Sequence, residues 1–101
     1  MKPDAAPPQI GSPTLEAVRA EIAALWRLLF KDSALDVTQT SDFFALGGNS
    51  LLALEMVERL YERYQIEIGI LAVVEHPTLR QLAEFVKEAI DGDGDEEEGT
   101  L

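Results

Sequence analysis

The sequence predicts a small all-α fold, a four-helix bundle with three long helices and one short one. Three segments repeat apolar residues at spacings of three and four, which is the period of a helix with one buried face. Each of these segments follows a residue type that caps helix N-termini. Only the short stretch 66–68 alternates as a strand would, and the sequence offers no second strand to pair with it.

The first helix is predicted to open at Ser12-Pro13, with serine as the N-cap and proline in the first turn. Its apolar stripe ends near Phe30 and consists of Leu15, Val18, Ile22, Leu25, Trp26 and Leu29. Residues 31–49 are then predicted to form a loop, of a length that is often functional in compact domains. We expect its apolar residues to pack on the bundle: Leu35, Val37, Phe43, Phe44 and Leu46.

The second helix is predicted to run from Asn49-Ser50 to about Tyr64. Its core stripe consists of Ala53, Met56, Val57, Leu60 and Tyr64. Leu51 and Leu54 lie outside that stripe, on a different face of the same helix.

A short third helix is predicted from about Ile70 to Val74, and Pro77 closes it because the residue before a proline avoids helical backbone angles. The last helix is predicted to begin at Thr78, which forms a capping box with Gln81. Its apolar stripe consists of Leu79, Leu82, Val86 and Ile90.

The length of 101 residues indicates one domain. We expect a flexible leader at 1–11, a folded domain at 12–90 and an acidic, disordered tail at 91–101. The leader with its own Met1 and the short tail suggest a freestanding protein. The sequence has no signal-peptide core and no apolar run of the roughly 18 residues that a membrane span needs. A soluble, cytoplasmic protein with no membrane partner is therefore predicted.

Composition excludes several kinds of site. The chain has no cysteine and one histidine, His76, so neither a disulfide framework nor a metal site is expected. The net charge of −11, from 8 basic and 19 acidic residues, argues against binding to nucleic acid. The same charge suits partners with a basic docking face, although in the tail it serves solubility.

The run from Asp42 to Leu51 carries the chemistry. Gly47 and Gly48 permit backbone angles closed to other residues and leave no side-chain bulk beside Ser50. Ser50 stands at the start of a helix, where first-turn N–H groups and the helix dipole favour a negative group. These features suit a serine that another protein phosphorylates or phosphopantetheinylates. A bare Gly-Gly-Asn-Ser sequence is equally typical of an ordinary loop and N-cap.

The wider pattern decides between these two interpretations. Asp-Phe-Phe-x-Leu-Gly-Gly-x-Ser-Leu at 42–51, Ile-Glu-Ile at 66–68 and Pro-Thr-Leu at 77–79 resemble the peptidyl carrier (thiolation) domains of non-ribosomal peptide synthesis. These domains belong to the acyl carrier protein superfamily, and the resemblance covers residues 14–90. Two residues depart from the pattern. Asn49 replaces a common His or Asp, and Gly69 stands where proline is frequent, which puts the short third helix in doubt.

The resemblance implies a specific role. Ser50 would receive 4′-phosphopantetheine from coenzyme A through a phosphopantetheinyl transferase, with Asp42, Gly47, Gly48 and Asn49 forming the attachment loop. The arm's thiol would hold an aminoacyl or peptidyl group as a thioester. The protein, a monomer and not itself an enzyme, would be loaded by an adenylation enzyme and would serve condensation or tailoring enzymes. Gly47-Gly48 favours this cargo over a fatty or polyketide acyl group, which is the alternative.

Three leucines are candidates for partner docking: Leu51, Leu54 and Leu71. Their alternative role is to pack under the long loop. A protein of a different class would use them as an unmodified helical interaction domain. A serine hydrolase built from Ser50, His76 and Asp42 is the remote possibility, because the strand–elbow–helix scaffold is missing and a small bundle has little room for a pocket.

Overall fold

The computed structural model describes residues 12–92, which form four helices. These are α1 (Leu15–Leu29), α2 (Ser50–Tyr64), α3 (Ile70–Glu75) and α4 (Leu79–Asp91). The helix α1 packs against both α4 and α2, and α3 packs against α2. The predicted all-α bundle of three long helices and one short one is confirmed. The predicted leader, 1–11, and most of the predicted tail, 93–101, lie outside the described residues.

The start of α1 differs from the prediction. Its N-cap is Thr14, whose hydroxyl accepts a hydrogen bond from the N–H of Ala17 at 3.0 Å. Ser12, the predicted cap, is engaged elsewhere: its hydroxyl donates to a carboxylate oxygen of Asp91 at 2.7 Å and accepts from Lys87 at 3.3 Å. Ser12 was therefore the wrong cap because it takes part in a contact with α4, which no local pattern reveals.

The end of α4 lies one residue beyond the predicted domain limit. Asp91 is helical, and its carboxylate accepts a hydrogen bond from Lys87 at 2.7 Å, one turn earlier. The hydrogen bonds from Lys87 and Ser12 hold the pKa of Asp91 below its ordinary value, because both favour the charged carboxylate. The entry to α1 and the end of α4 are therefore joined at one point.

The core contains the predicted stripes. The buried apolar residues are Val18, Ile22, Ala23, Trp26, Leu29, Phe43, Ala53, Met56, Val57, Leu60, Ile66, Val73, Leu79, Leu82, Ala83 and Val86. Leu15, Leu25 and Ile90 are only partly buried at its edge. Ala23 and Ala83 were not predicted. They lie on α1 and α4, the two helices with the most extensive contact, where small side chains permit close approach.

The short third helix forms despite the glycine before it. Gly69 is the N-cap of α3 and has an extended backbone, with φ −107°, and no side-chain hydrogen bond. The fully buried Val73 anchors the helix to the core. Residues 66–68 do not form a strand, and Ile66 is buried. Packing therefore stabilises α3 where capping does not. Among residues 12–92, every helix is too short or too polar to cross a membrane.

Candidate functional site

The loop 31–49 is bonded to the start of α4. The N–H of Phe43 donates to the carbonyl of Pro77 at 2.8 Å, and the N–H of Leu79 donates to the carbonyl of Ser41 at 3.0 Å. Leu79 is the first residue of α4, so its N–H has no partner within the helix. The loop therefore supplies an acceptor that α4 lacks, while α4 fixes the last third of the loop.

Phe43 lies at the centre of the loop's packing. Its side chain is fully buried, and its ring centroid lies 5.4 Å from that of Trp26, 5.4 Å from that of Phe30 and 5.3 Å from that of Phe44. Tilted and edge-on pairs at this spacing stabilise by about 0.5–1.5 kcal/mol each beyond the area that they bury. Of the other loop residues predicted to pack, Val37, Phe44 and Leu46 contact the core from half-buried positions. Leu35 is half-buried, and its carbonyl accepts a hydrogen bond from the Arg27 guanidinium at 2.8 Å.

Asp42 shapes the turn after which the chain approaches α2. One of its carboxylate oxygens accepts hydrogen bonds from the N–H groups of Phe44 at 2.8 Å and Ala45 at 3.0 Å. Its carbonyl accepts another from the N–H of Leu46 at 3.0 Å. An aspartate that bonds to the backbone two and three residues on stabilises such a turn. The function of this side chain in the loop is therefore structural.

The two glycines are required for different reasons. Gly48 donates its N–H to the carbonyl of Phe43 at 2.9 Å. A Cβ on Gly48 would overlap the Phe43 ring and lie 2.7 Å from that carbonyl oxygen, so only glycine fits. Gly47 has open space around it, but its φ of +119° is one that residues with side chains rarely adopt.

Asn49 is the N-cap of α2. Its backbone is extended, and its side-chain oxygen accepts a hydrogen bond from the N–H of Leu52 at 2.9 Å. Asparagine and aspartate cap helices about equally well, which explains why this position tolerates the departure noted in the sequence. Asn49 thereby fixes where α2 begins and hence where Ser50 lies.

Ser50 is the first helical residue of α2 and is exposed. Among residues 12–92, no side-chain hydrogen bond involves its hydroxyl, and the first turn of α2 contains no acidic residue. Backbone N–H groups and the positive end of the helix dipole favour an anion at this position. A phosphodiester on the Ser50 oxygen fits this site in charge, and the two preceding glycines leave the site uncrowded.

The residues of the hydrolase alternative are engaged elsewhere. His76 is the C-cap of α3, and its ring stacks on that of Phe85, with centroids 4.6 Å apart. The carboxylate of Asp42 bonds to backbone N–H groups. Within residues 12–92, no hydrogen bond links Ser50, His76 and Asp42 to one another. The nucleophile therefore lacks the adjacent base that would activate it.

The three predicted docking leucines are exposed. The exposed fraction is 72% for Leu51, 42% for Leu54 and 65% for Leu71. The alternative role for these leucines, packing under the loop, is therefore wrong. We call these three residues the leucine patch. Sequence reasoning missed two further exposed apolar side chains: Tyr61, on α2, and Val74, three residues after Leu71 on α3. The helical spacing from Leu71 to Val74 was the available signal.

Comparisons with known proteins agree on one family. Residues 20–86 match the family described as a phosphopantetheine attachment site. Tyrocidine synthase 3 of Brevibacillus parabrevis is 36% identical over 76 residues, which are 72% of this chain and 1% of that protein. Gramicidin S synthase 2 of Brevibacillus brevis is 32% identical over 68% of this chain and 2% of its own length. The chain thus spans only one or two hundredths of these curated relatives.

Solved structures add the fold. BlmI, a type-II acyl carrier protein from Streptomyces verticillus involved in bleomycin biosynthesis, superposes with a TM-score of 0.65 at 30% identity. The match covers 71% of this chain and 84% of that one. A chain from the complex of the phosphopantetheine transferase Sfp with coenzyme A and a peptidyl carrier protein also gives 0.65, at 28% identity, covering 74% and 94% respectively.

The contact between Gly48 and Phe43 predicts unequal effects of two alanine substitutions. Gly48→Ala should lower the free energy of unfolding by about 3 kcal/mol, because the new methyl group displaces a fully buried ring. Gly47→Ala should cost about 1 kcal/mol, since it adds backbone strain without a collision. Urea denaturation of both variants measures the difference.

The fluorescence of Trp26, the one tryptophan of the chain, provides a second measurement. Its ring contacts Phe43, so its emission should shift in Gly48→Ala and remain unchanged in Gly47→Ala. Equal destabilisation by the two substitutions, with unchanged emission in both, would contradict the assignment of the crowded contact to Gly48.

Proposed function

This chain belongs to the family of phosphopantetheine attachment domains, and we propose that Ser50 is the residue to which the 4′-phosphopantetheine of coenzyme A is attached. The observation that supports Ser50 most directly is its exposed hydroxyl at the first position of α2. The loop before it is held by the buried Phe43, so the position of the hydroxyl is set by the core.

The chain's own residues then have separate functions. Asn49 sets the helix start, Gly47 and Gly48 leave space beside the serine, and the N-terminus of α2 stabilises the phosphodiester charge. When attached, the arm supplies the thiol that holds cargo as a thioester, a sulfur that this chain of no cysteines does not provide itself.

The cargo that we propose is an aminoacyl or peptidyl group. The paired glycines before Ser50 support it, as do relatives whose names are those of peptide synthetases. A fatty or polyketide acyl group is the alternative, and relatives named as hybrid PKS-NRPS synthetases keep it in view. Loading assays with adenylated amino acids and with acyl-coenzyme A distinguish the two.

The proposed mechanism is presentation of the cargo. A monomeric carrier would dock in turn on a phosphopantetheinyl transferase, an adenylation enzyme and condensation or tailoring enzymes. We assign these contacts to the leucine patch, because its exposed apolar side chains adjoin Ser50 on α2 and continue onto α3. The flexible arm raises the effective concentration of cargo at each docked enzyme, so docking itself can be weak.

Intact-protein mass tests the attachment residue. The protein, initially unmodified, is incubated with coenzyme A and a broad-specificity phosphopantetheinyl transferase, with Ser50→Ala in parallel. We expect the wild type to gain the mass of one phosphopantetheine and the variant to gain none, since the modified oxygen is missing. Circular dichroism verifies that both are folded. No gain on the folded wild type would favour the unmodified interaction domain instead.

The leucine patch is tested by Leu54→Arg. A charge in an apolar interface should lower kcat/KM for phosphopantetheine transfer by about tenfold, as loss of a central contact does. The unfolding midpoint should not change, because the Leu54 side chain is 42% exposed. Ala20→Arg, at an exposed position of α1, is the matched control and should leave the transfer rate unchanged. Unfolding of Leu54→Arg, or equal transfer by both variants, would contradict the assignment.

A further inference from the structure

Basic side chains are few in this chain and unevenly placed. There are 8 Lys and Arg residues against 19 Asp and Glu. Four of these bases line two adjoining depressions on the α1–α2 side of the bundle. Arg27 and Lys31 line one, and Arg59 and Arg63 line the other. Half of the positive charge of an acidic chain is therefore gathered around one feature of the surface.

That feature is the exposed side chain of Leu28. Leu28 lines both depressions, as does Ala24 one turn before it, and the Leu28 side chain is 57% exposed. The depression between α1 and α2 has a volume of about 420 Å³. An apolar ridge thus has cations on both sides. We call this surface the basic groove and define it as Ala24, Arg27, Leu28, Lys31, Arg59 and Arg63.

The guanidinium groups of the basic groove are available to a partner. Arg63 pairs with Glu21 at 3.2 Å and Arg59 with Glu55 at 3.7 Å, and in both pairs the side chains are 41–60% exposed. Exposed ion pairs contribute little to stability, so exchanging one carboxylate for another has a small cost. Arg27 uses its Nε–H to hold the loop carbonyl of Leu35, which leaves its other N–H donors.

Charge complementarity identifies the occupant. Four cations around a leucine suit carboxylates on both sides of an apolar side chain. Nucleic acid and anionic membranes are extended polyanions, and they would meet the remaining surface of a chain whose net charge is −11. A short acidic segment of a protein contacts the groove alone and avoids that repulsion.

We propose that the basic groove is a second docking site, separate from the leucine patch, which binds an acidic segment of a partner protein through its carboxylates and one apolar side chain. The two surfaces flank α2 on different sides. Arg59 and Arg63 line the depression shared with α1, whereas Tyr61 lines a groove shared with residues 66–68. A partner held at the basic groove leaves the leucine patch and Ser50 accessible, so it can tether the chain while other enzymes dock in turn.

NMR titration with a synthetic probe tests this site. The probe is the capped peptide Glu-Glu-Leu-Ala-Glu-Leu-Glu-Glu, added to the ¹⁵N-labelled full chain. We expect saturable shifts at the amides of Leu28, Lys31 and Arg59, which weaken as salt is raised. Arg59→Glu combined with Leu28→Glu should weaken binding by about tenfold or more, since it removes a cation and the apolar contact.

Two matched variants make the result decisive. Arg80→Glu removes an exposed base on α4 that pairs with Glu84 as Arg59 pairs with Glu55, and it should leave binding intact. Lys31→Gly removes a charge where the backbone has φ +58°, a conformation that glycine adopts readily, so it should weaken binding without lowering the unfolding midpoint.

Three outcomes would overturn the proposal: no saturable shifts, equal weakening by Arg80→Glu, or binding to phosphatidylserine vesicles that is tighter than to the peptide and is lost in the groove variant. Phosphopantetheine transfer to Ser50 is measured on the same variants. It should remain at the wild-type rate, which separates this site from the attachment function.

Discussion

The burial of the Phe43 ring is the constraint on which the site depends. Loops of this length in small domains are often mobile, yet this one is connected to α1 through Trp26 and Phe30. The same residue accepts the Gly48 N–H through its carbonyl and donates its own N–H to Pro77. One side chain and its backbone thereby link α1, the start of α4 and the approach to α2, and Ser50 follows two residues after Gly48.

This constraint gives each residue of the 42–51 pattern a physical reason. Asp42 closes the turn that directs Phe43 inward, Gly48 lies against the buried ring, and Asn49 caps the helix that Ser50 begins. The hydroxyl is then exposed at a fixed place, while the remaining surface is free to vary in charge and polarity. The leucine patch and the basic groove occupy different sides of α2, so attachment and partner contact are separable properties of the same helix.

Much of this could be predicted from the sequence because the signals are local. The N-cap of α2, the capping box of Thr78 with Gln81 and the exposure of Leu51 and Leu54 depend on neighbours within one or two turns. Other features depend on contacts distant in sequence. Ser12 bonds to Asp91 instead of capping α1, and Arg27 and Arg59 meet around Leu28 only because α1 and α2 pack together. The collision that forbids a side chain at Gly48 requires knowing where the Phe43 ring is buried.

Hydrogen exchange of the Gly48 N–H tests the central claim most directly, since this group donates to the Phe43 carbonyl. If the buried ring locks the loop to the bundle, Gly48 exchanges only through global unfolding, at the rate of core amides such as that of Leu60. The N–H of Leu79, bonded to Ser41, should be protected to the same degree. Exchange at Gly48 at the rate of an exposed loop, with the helices still protected, would show that the core does not hold the attachment loop in place.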